Sequence, residues 1–306
     1  MDGLLLVDKP SGLTSHDVVA RVRRLLAGAK TGHFGTLDPL ATGLLVVAVG
    51  KAVRFNAYYA SRNKSYLGRI RLGVSTDTYD AEGAPTGAPV SDLPPPEAIA
   101  AAVRSLTGTI EQIPPVFSAK KLAGRPLYSY ARRGRTVEAR PIRVVIHEFT
   151  ASPAGPPDLV FFVRCSSGTY IRSLAHDLGR ALGCGAHLAE LRRTAVGEFD
   201  LRAAHPLAVV EEAIAAGSGE RLAIPLDRLL PDYPAVILDA AGREFVRNGR
   251  SLPPERIVSV ITPSILDPAT VEGIVRLFDL DGQMIGLAKN DLMSGSLTPC
   301  LVLIAG

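Results

Sequence analysis

Cysteine is scarce in this chain: 3 thiols in 306 residues, Cys165, Cys184 and Cys300, with no Cys-x-x-Cys pair among them. An odd, widely spaced set excludes a disulfide framework. Cys184-Gly-Ala-His187 has a metal-like spacing. A structural zinc site normally takes four ligands, and no second pair accompanies this one, so no metal is expected. Apolar runs fall well short of the roughly 20 residues needed to cross a bilayer. Asp2 precedes Leu4-Leu-Leu6 and turn residues follow, which is not the basic-then-apolar-then-small order of a secretory leader. A cytoplasmic protein without membrane contact is the expectation. Gly50-Lys51-Ala52 lacks both the earlier glycine and the Ser/Thr of a phosphate loop. Neither a Gly-x-Ser-x-Gly elbow nor a His-Glu-x-x-His helix is present, and there is no internal repeat or low-complexity tract.

What is present points to a folded, two-domain protein. A hydrophobic share of 47% is incompatible with disorder, and the length suffices for a large core. Charge is uneven. Residues 1–225 hold 27 Lys+Arg against 20 Asp+Glu, a surplus of 7, whereas 226–306 hold 7 against 10, a deficit of 3. A polyanionic partner is therefore expected on the first part of the chain.

Residues 4–7 read as a strand, and Thr14 or Ser15 can cap a helix carrying Val18, Val19, Val22, Leu25 and Leu26 on one face. Ser65–Leu72 alternates as a strand, and Pro96 starts a helix through Val103. Ile142–Phe149 and Leu159–Cys165 are β-rich runs. Helices are expected at Tyr170–Leu182, over Ala186–Leu191, and from His205-Pro206 to Ala216, with Gly217-Ser-Gly219 a flexible break. Beyond it, short runs at 235–238, 256–261, 273–278, 284–289 and 301–304 predict strands, and Asp281-Gly282 a hairpin turn.

The most informative stretch is Lys30-Thr-Gly-His-Phe-Gly-Thr-Leu-Asp-Pro-Leu-Ala-Thr-Gly-Leu-Leu45. A residue before proline is pushed out of the helical region, so Asp38 is expected to be extended and followed by a rigid Pro39. Gly32, Gly35 and Gly43 allow sharp turns and close approach of another backbone. Taken alone, the stretch also reads as an Asp-Pro turn introducing the buried strand Leu44–Val49.

Gly35-Thr-Leu-Asp38-Pro-Leu-Ala-Thr-Gly43 resembles the catalytic loop of the TruB-type tRNA pseudouridine-55 synthases. Further segments match that family in order: Lys9-Pro-Ser-Gly-Leu-Thr-Ser15, Lys64-Ser-Tyr66, Leu72-Gly-Val-Ser-Thr-Asp-Thr78 and Gln112-Ile-Pro-Pro-Val-Phe-Ser-Ala-Lys120. Cys165-Ser-Ser-Gly-Thr-Tyr-Ile-Arg-Ser-Leu-Ala-His-Asp-Leu-Gly179 and Gly183-Cys-Gly-Ala-His-Leu-Ala-Glu-Leu-Arg-Arg-Thr194 complete the set. The resemblance runs from Lys9 to about Phe199. Departures fall at Phe117, where tyrosine is usual, at Ser129, where an acid is frequent, and at Ala195, where a basic residue is common. They touch RNA contacts rather than chemistry.

Together these readings give an α+β fold: a catalytic domain with a mixed or antiparallel sheet over 1–230, and a small β-rich domain over 231–306. Gly282–Ala288 resembles the end of a PUA-type RNA-binding barrel. The resemblance implies a redox-neutral isomerisation with no cofactor, on the T-arm of tRNA, by a monomer without guide RNA or accessory protein. It implies Asp38 as the essential carboxylate, adding to base or sugar or assisting an unsaturated-sugar route. Arg172 is implied as its cationic partner, and Tyr66 as the platform for the flipped uracil that also helps move the carbon-5 proton. Tyr170 and Leu191 would line the base pocket, and His33 would insert into the RNA loop. The ordinary alternatives are a surface arginine, a strand tyrosine and core packing.

A basic cluster includes Lys120, Lys121, Arg132 and Arg133, with Arg125, Arg135, Arg140 and Arg143 nearby and Tyr128 and Tyr130 interleaved. It suits phosphate contact and stacking, or else a solvated helical face. Two other activities compete: a non-catalytic tRNA-folding chaperone, indifferent to Asp38, and a glycosylase, which would release free uracil.

Overall fold

The computed structural model describes residues 1–115, 140–263, 273–290 and 296–304, with the backbone alone at 121–122 and 125–126. Two compact units emerge: Leu6–Val47 with Phe55–Ser218, and Met1–Leu5 with Ala48–Arg54 and Gly219–Gly306.

Chain order to residue 112 is β1 (Gly3–Lys9), α1 (Ser15–Leu25), β2 (Thr31–His33), β3 (Thr42–Val49), α2 (Asn56–Ala60), β4 (Lys64–Leu72), α3 (Pro96–Ser105) and β5 (Gly108–Gln112). A short hairpin, β6 (Lys121–Leu122) and β7 (Arg125–Pro126), precedes β8 (Ile142–Pro153) and β9 (Asp158–Cys165). Then come α4 (Ile171–Ala181), β10 (Ala186–Val196), β11 (Phe199–Asp200), β12 (His205–Pro206) and α5 (Leu207–Ala215).

The main sheet runs β12-β1-β3-β10-β4-β9-β8-β5. It is mixed: β10 lies parallel to β3 but antiparallel to β4, which in turn is antiparallel to β9. Leu44–Val49 of β3 are all 0% exposed, as a continuous apolar run in a central strand requires. Thr14 caps α1 in a capping box with Asp17, and Ser15, Val18, Val19 and Val22 form its buried face.

The expected helix at Ala186–Leu191 is instead the first half of β10, paired with β4 through Leu188 opposite Ile70. Ala186, His187 and Leu188 are all buried. Covered on both faces over Ala186–Leu188, the run shows no alternation there to separate strand from helix. Gly217 (φ 72°) is not a loose break either: it closes α5, where the Ser218 N–H donates to Ala213 O at 2.8 Å.

In the smaller unit, β13 (Ala223–Ile224) pairs with Leu4 and Leu5. Five further strands, β14 (Ala235–Leu238), β15 (Ile257–Ile261), β16 (Ile274–Phe278), β17 (Met284–Asn290) and β18 (Leu297–Val302), form a sheet ordered β15-β14-β16-β17-β18. Gly282 (φ 77°) turns β16 into β17. Between β14 and β15 lies α6 (Ala240–Arg247), capped by Asp239 accepting from Gly242 N–H and burying Val246 against Leu238, Leu252 and Ile285. Among the described residues no helix is long and apolar enough to cross a membrane.

Candidate active site

A cavity of about 380 Å³ opens in the larger unit where the loop after β2 meets the N-terminal end of α4 and the faces of β4 and β10. Asp38, Tyr66, Tyr170, Arg172 and Leu191, widely separated in sequence, all line it. His33 lies in β2 outside that lining, and burial pushes its imidazole below the usual range. Lys120, Arg132 and Arg133 lie outside the described residues, as does the side chain of Lys121.

The Asp38 loop is held from beneath. Ser15 Oγ accepts from Leu37 N–H at 2.8 Å and donates to Leu37 O at 3.1 Å. The Gly12 N–H donates to Pro39 O at 2.9 Å. The fully buried Lys9 donates to Leu13 O at 2.6 Å, to Pro10 O at 2.9 Å and to Pro39 O at 3.4 Å. That explains the Lys9-Pro-Ser-Gly motif: it is the floor of the loop. Gly35 (φ 99°) and Gly43 (φ 96°) take left-handed conformations, whereas Gly32 sits inside β2. A Cβ on Gly43 would lie 2.3 Å from Arg193 O, so only glycine fits where β3 crosses β10.

Arg172 projects from the first turn of α4, where side-chain bonds fix the backbone. Gln112 accepts from Tyr170 N–H at 2.7 Å and donates to Tyr170 O at 3.0 Å, and Ser173 Oγ donates to Ile113 O at 2.7 Å. Arg172 Nε lies 2.9 Å from Asp38 Oδ2, while Nη1 lies 3.3 Å from Asp80 Oδ2 and donates to Thr78 O at 3.2 Å. One guanidinium thus links two carboxylates. Asp80 is 4% exposed and also accepts from Thr78 Oγ1 at 2.5 Å and Glu82 N–H at 3.1 Å. Between them Tyr79 is left-handed (φ 65°) and stacks on His176 with centroids 3.9 Å apart, which fixes the turn that presents Asp80.

Asp38 keeps 40% of its side-chain surface open, on the cavity side. Its pKa is nonetheless raised, first by the surrounding protein mass and secondarily by Asp80, against the opposing pull of Arg172. The cation therefore limits a burial effect that it does not cancel. Tyr66 is 8% exposed and its phenol is pushed up by burial. Two further cations line the cavity. Lys64 donates to Ala60 O and Arg62 O, each at 2.7 Å, and burial pushes it down to about 8. Arg193 is 1% exposed.

Similarity to known proteins settles the family. Residues 23–171 match "TruB family pseudouridylate synthase (N terminal domain)", and residues 172–233 match "tRNA pseudouridylate synthase B C-terminal domain". The chain belongs to the TruB family. Asp38 falls in the first match and Arg172 opens the second, so the ion pair joins the two. Among curated relatives, a "tRNA pseudouridine synthase B" of Solibacter usitatus is 43% identical over 83% of this chain and 86% of its own. One of Aromatoleum aromaticum is 43% identical over 98% of this chain and 92% of its own. A solved structure titled "Structure of H/ACA RNP bound to a substrate RNA containing 2'-deoxyuridine" shares the fold, with TM-score 0.75 and 24% identity over 99% of this chain and 85% of that one.

Lys64, Gln112 and Arg193 within the TruB motifs, and Asp80 just outside them, carry structural roles that the sequence does not reveal. Asp80 stands two residues beyond the Leu72–Thr78 segment, and only the distant Arg172 gives it meaning. His187 Nδ1 contacts Val74 O at 2.9 Å, and among the described residues no group of three or more His, Cys, Asp or Glu is placed to hold a metal ion.

Proposed function

We propose that this chain isomerises uridine 55 in the T-loop of tRNA to pseudouridine, acting in the cytoplasm as a monomer without guide RNA, accessory protein or cofactor. Its two regions would serve as a catalytic domain over 1–230 and a PUA-like RNA-binding domain over 231–306. The observation that carries the reading is Asp38 held by Arg172 in a cavity that Tyr66 also lines. The names of the full-length relatives supply the tRNA substrate.

Uridine flips out of the stack and lies against Tyr66, with Tyr170 and Leu191 as walls and His33 wedged into the RNA loop. Asp38, ionised, attacks base or sugar or assists elimination at the sugar, and the glycosidic C–N bond breaks. The uracil turns and carbon 5 bonds to the sugar, the bond to Asp38 breaking to free the carboxylate or, on the elimination route, the proton taken from the sugar returning to it. The carbon-5 proton then leaves, its C–H pair passing into the ring, and the freed nitrogen takes up one proton, so the reaction is proton-neutral overall. Tyr66 assists the carbon-5 transfer.

Asp38 works only when ionised, so activity is present above its pKa and lost as pH falls through it. Because that pKa is raised, the acid limb of kcat/KM is expected above the ordinary carboxylate value of about 3.9. Asp80→Asn removes a like charge and should move the limb to lower pH, even though it loosens Arg172. A limb that stays put would show that Asp38 is not the titrating group. For the basic cluster, Arg132→Ala with Arg133→Ala should lower the slope of log affinity against log salt by about 0.7–0.9 for each phosphate left without its arginine. An unchanged slope would remove both from the RNA surface.

The function is tested by mapping pseudouridine in an unmodified tRNA transcript after incubation with the purified protein alone. Modification at position 55 is expected. Modification elsewhere would reject the T-loop assignment, and a requirement for added protein or guide would reject the stand-alone reading.

A further inference from the structure

Arg193 is a buried cation without a buried acid. Among the described residues no carboxylate pairs with it, although it is 1% exposed. Burying a guanidinium costs several kcal/mol unless its donors are satisfied, and a hydrophobic residue usually packs a core position better. Here the satisfaction comes from backbone. Nε donates to Leu44 O at 2.7 Å, Nη1 to Thr36 O at 3.2 Å and Nη2 to Gly35 O at 3.1 Å. Gly35 and Thr36 belong to the loop that carries Asp38, and Leu44 belongs to β3 behind it. On β10, Arg193 stands directly opposite Tyr66 of β4.

Arg193 and Tyr66 line the same cavity from these facing positions, and the guanidinium charge acts on the phenol. A guanidinium has five N–H groups and no acceptor, so the phenol oxygen must accept in any bond between them. Such a bond would leave the phenol's own proton directed away from Arg193. Catalytic hydrogen bonds of this kind commonly tighten only when substrate binds.

We infer that Arg193 is a positioning residue that sets the Asp38 loop and the Tyr66 hydroxyl relative to each other across the cavity. This rests on the pseudouridine synthase reading. The two ends of the reaction, the carboxylate that starts it and the phenol that assists carbon-5 proton loss, share one rigid fork. Lysine keeps the charge but not the planar fork, and so does not replace it.

The test measures single-turnover isomerisation at saturating tRNA, tRNA affinity and thermal unfolding for wild type, Arg193→Lys, Arg193→Gln, Tyr66→Phe and the Tyr66→Phe doubles. Expected for Arg193→Lys is a single-turnover rate about 10²-fold lower, with affinity within about threefold of wild type. Expected for the double is a loss at least tenfold smaller than the product of the two single losses, because both act on one arrangement. Full multiplicativity, or a rate within threefold of wild type, would overturn the inference. So would a loss confined to affinity.

Where neither Arg193 variant folds, the wild-type guanidinium decides. A clamp on three carbonyls predicts separate, slowly exchanging Arg193 Nη proton signals by NMR, and averaged signals would contradict it. Absence of turnover in the wild type itself would instead remove the functional reading and leave the NMR result standing.

Discussion

Asp38→Asn is expected to lower turnover by about 10⁴-fold or more while leaving tRNA affinity within a fewfold of wild type. Asparagine keeps the shape and a hydrogen-bond acceptor for Arg172 but cannot carry the negative charge that the chemistry requires. The same substitution should not destabilise the protein. A carboxyl whose folded pKa is raised gives full stability below its unfolded pKa and loses it as pH rises through the folded one. At pH 7 the ionised Asp38 is therefore a cost, screened by its partial exposure, and its removal should leave the melting temperature equal or higher. A large fall in melting temperature would make Asp38 a structural acid and the activity loss uninformative.

Arg172→Met is expected to lower the single-turnover rate by about 10²–10³-fold, as losing one preorganised charge at a reacting centre does. Here stability should fall as well. Asp80 is buried, and removing one partner of a buried pair leaves the other uncompensated, at about 3–5 kcal/mol. Urea unfolding would therefore separate the two carboxylates: Asp38→Asn removes a burdened acid, while Arg172→Met strands Asp80. The double Arg172→Met with Asp80→Asn should recover much of the stability and little of the rate. Recovery of both would reduce Arg172 to a structural ion-pair partner.

Five of the residues that line the cavity are legible in the sequence because their motifs are local. Asp38, Tyr66, Tyr170, Arg172 and Leu191 each sit in a segment that resembles the family, and the fold brings them to one cavity. What supports them is not legible. Asp80 acquires its role only through Arg172, and Arg193 only through carbonyls of Gly35, Thr36 and Leu44, none of which leaves a side-chain signature at the acceptor. The strand at Ala186–Leu191 reads as a helix because burial on both faces over Ala186–Leu188 erases the alternation there, and its pairing with β4 is long-range. The helix Ala240–Arg247 is hidden although Asp239 is a good cap, because Gly242 breaks the helical pattern just where the cap needs an N–H.

The most direct measurement is tritium release from carbon 5 of labelled uridine in a tRNA transcript, with free uracil assayed in the same samples. Wild type is expected to release tritium and Asp38→Asn none, with no free uracil in either. Free uracil would make the protein a glycosylase. Tight tRNA binding with no tritium release by wild type would contradict catalysis and leave a folding chaperone.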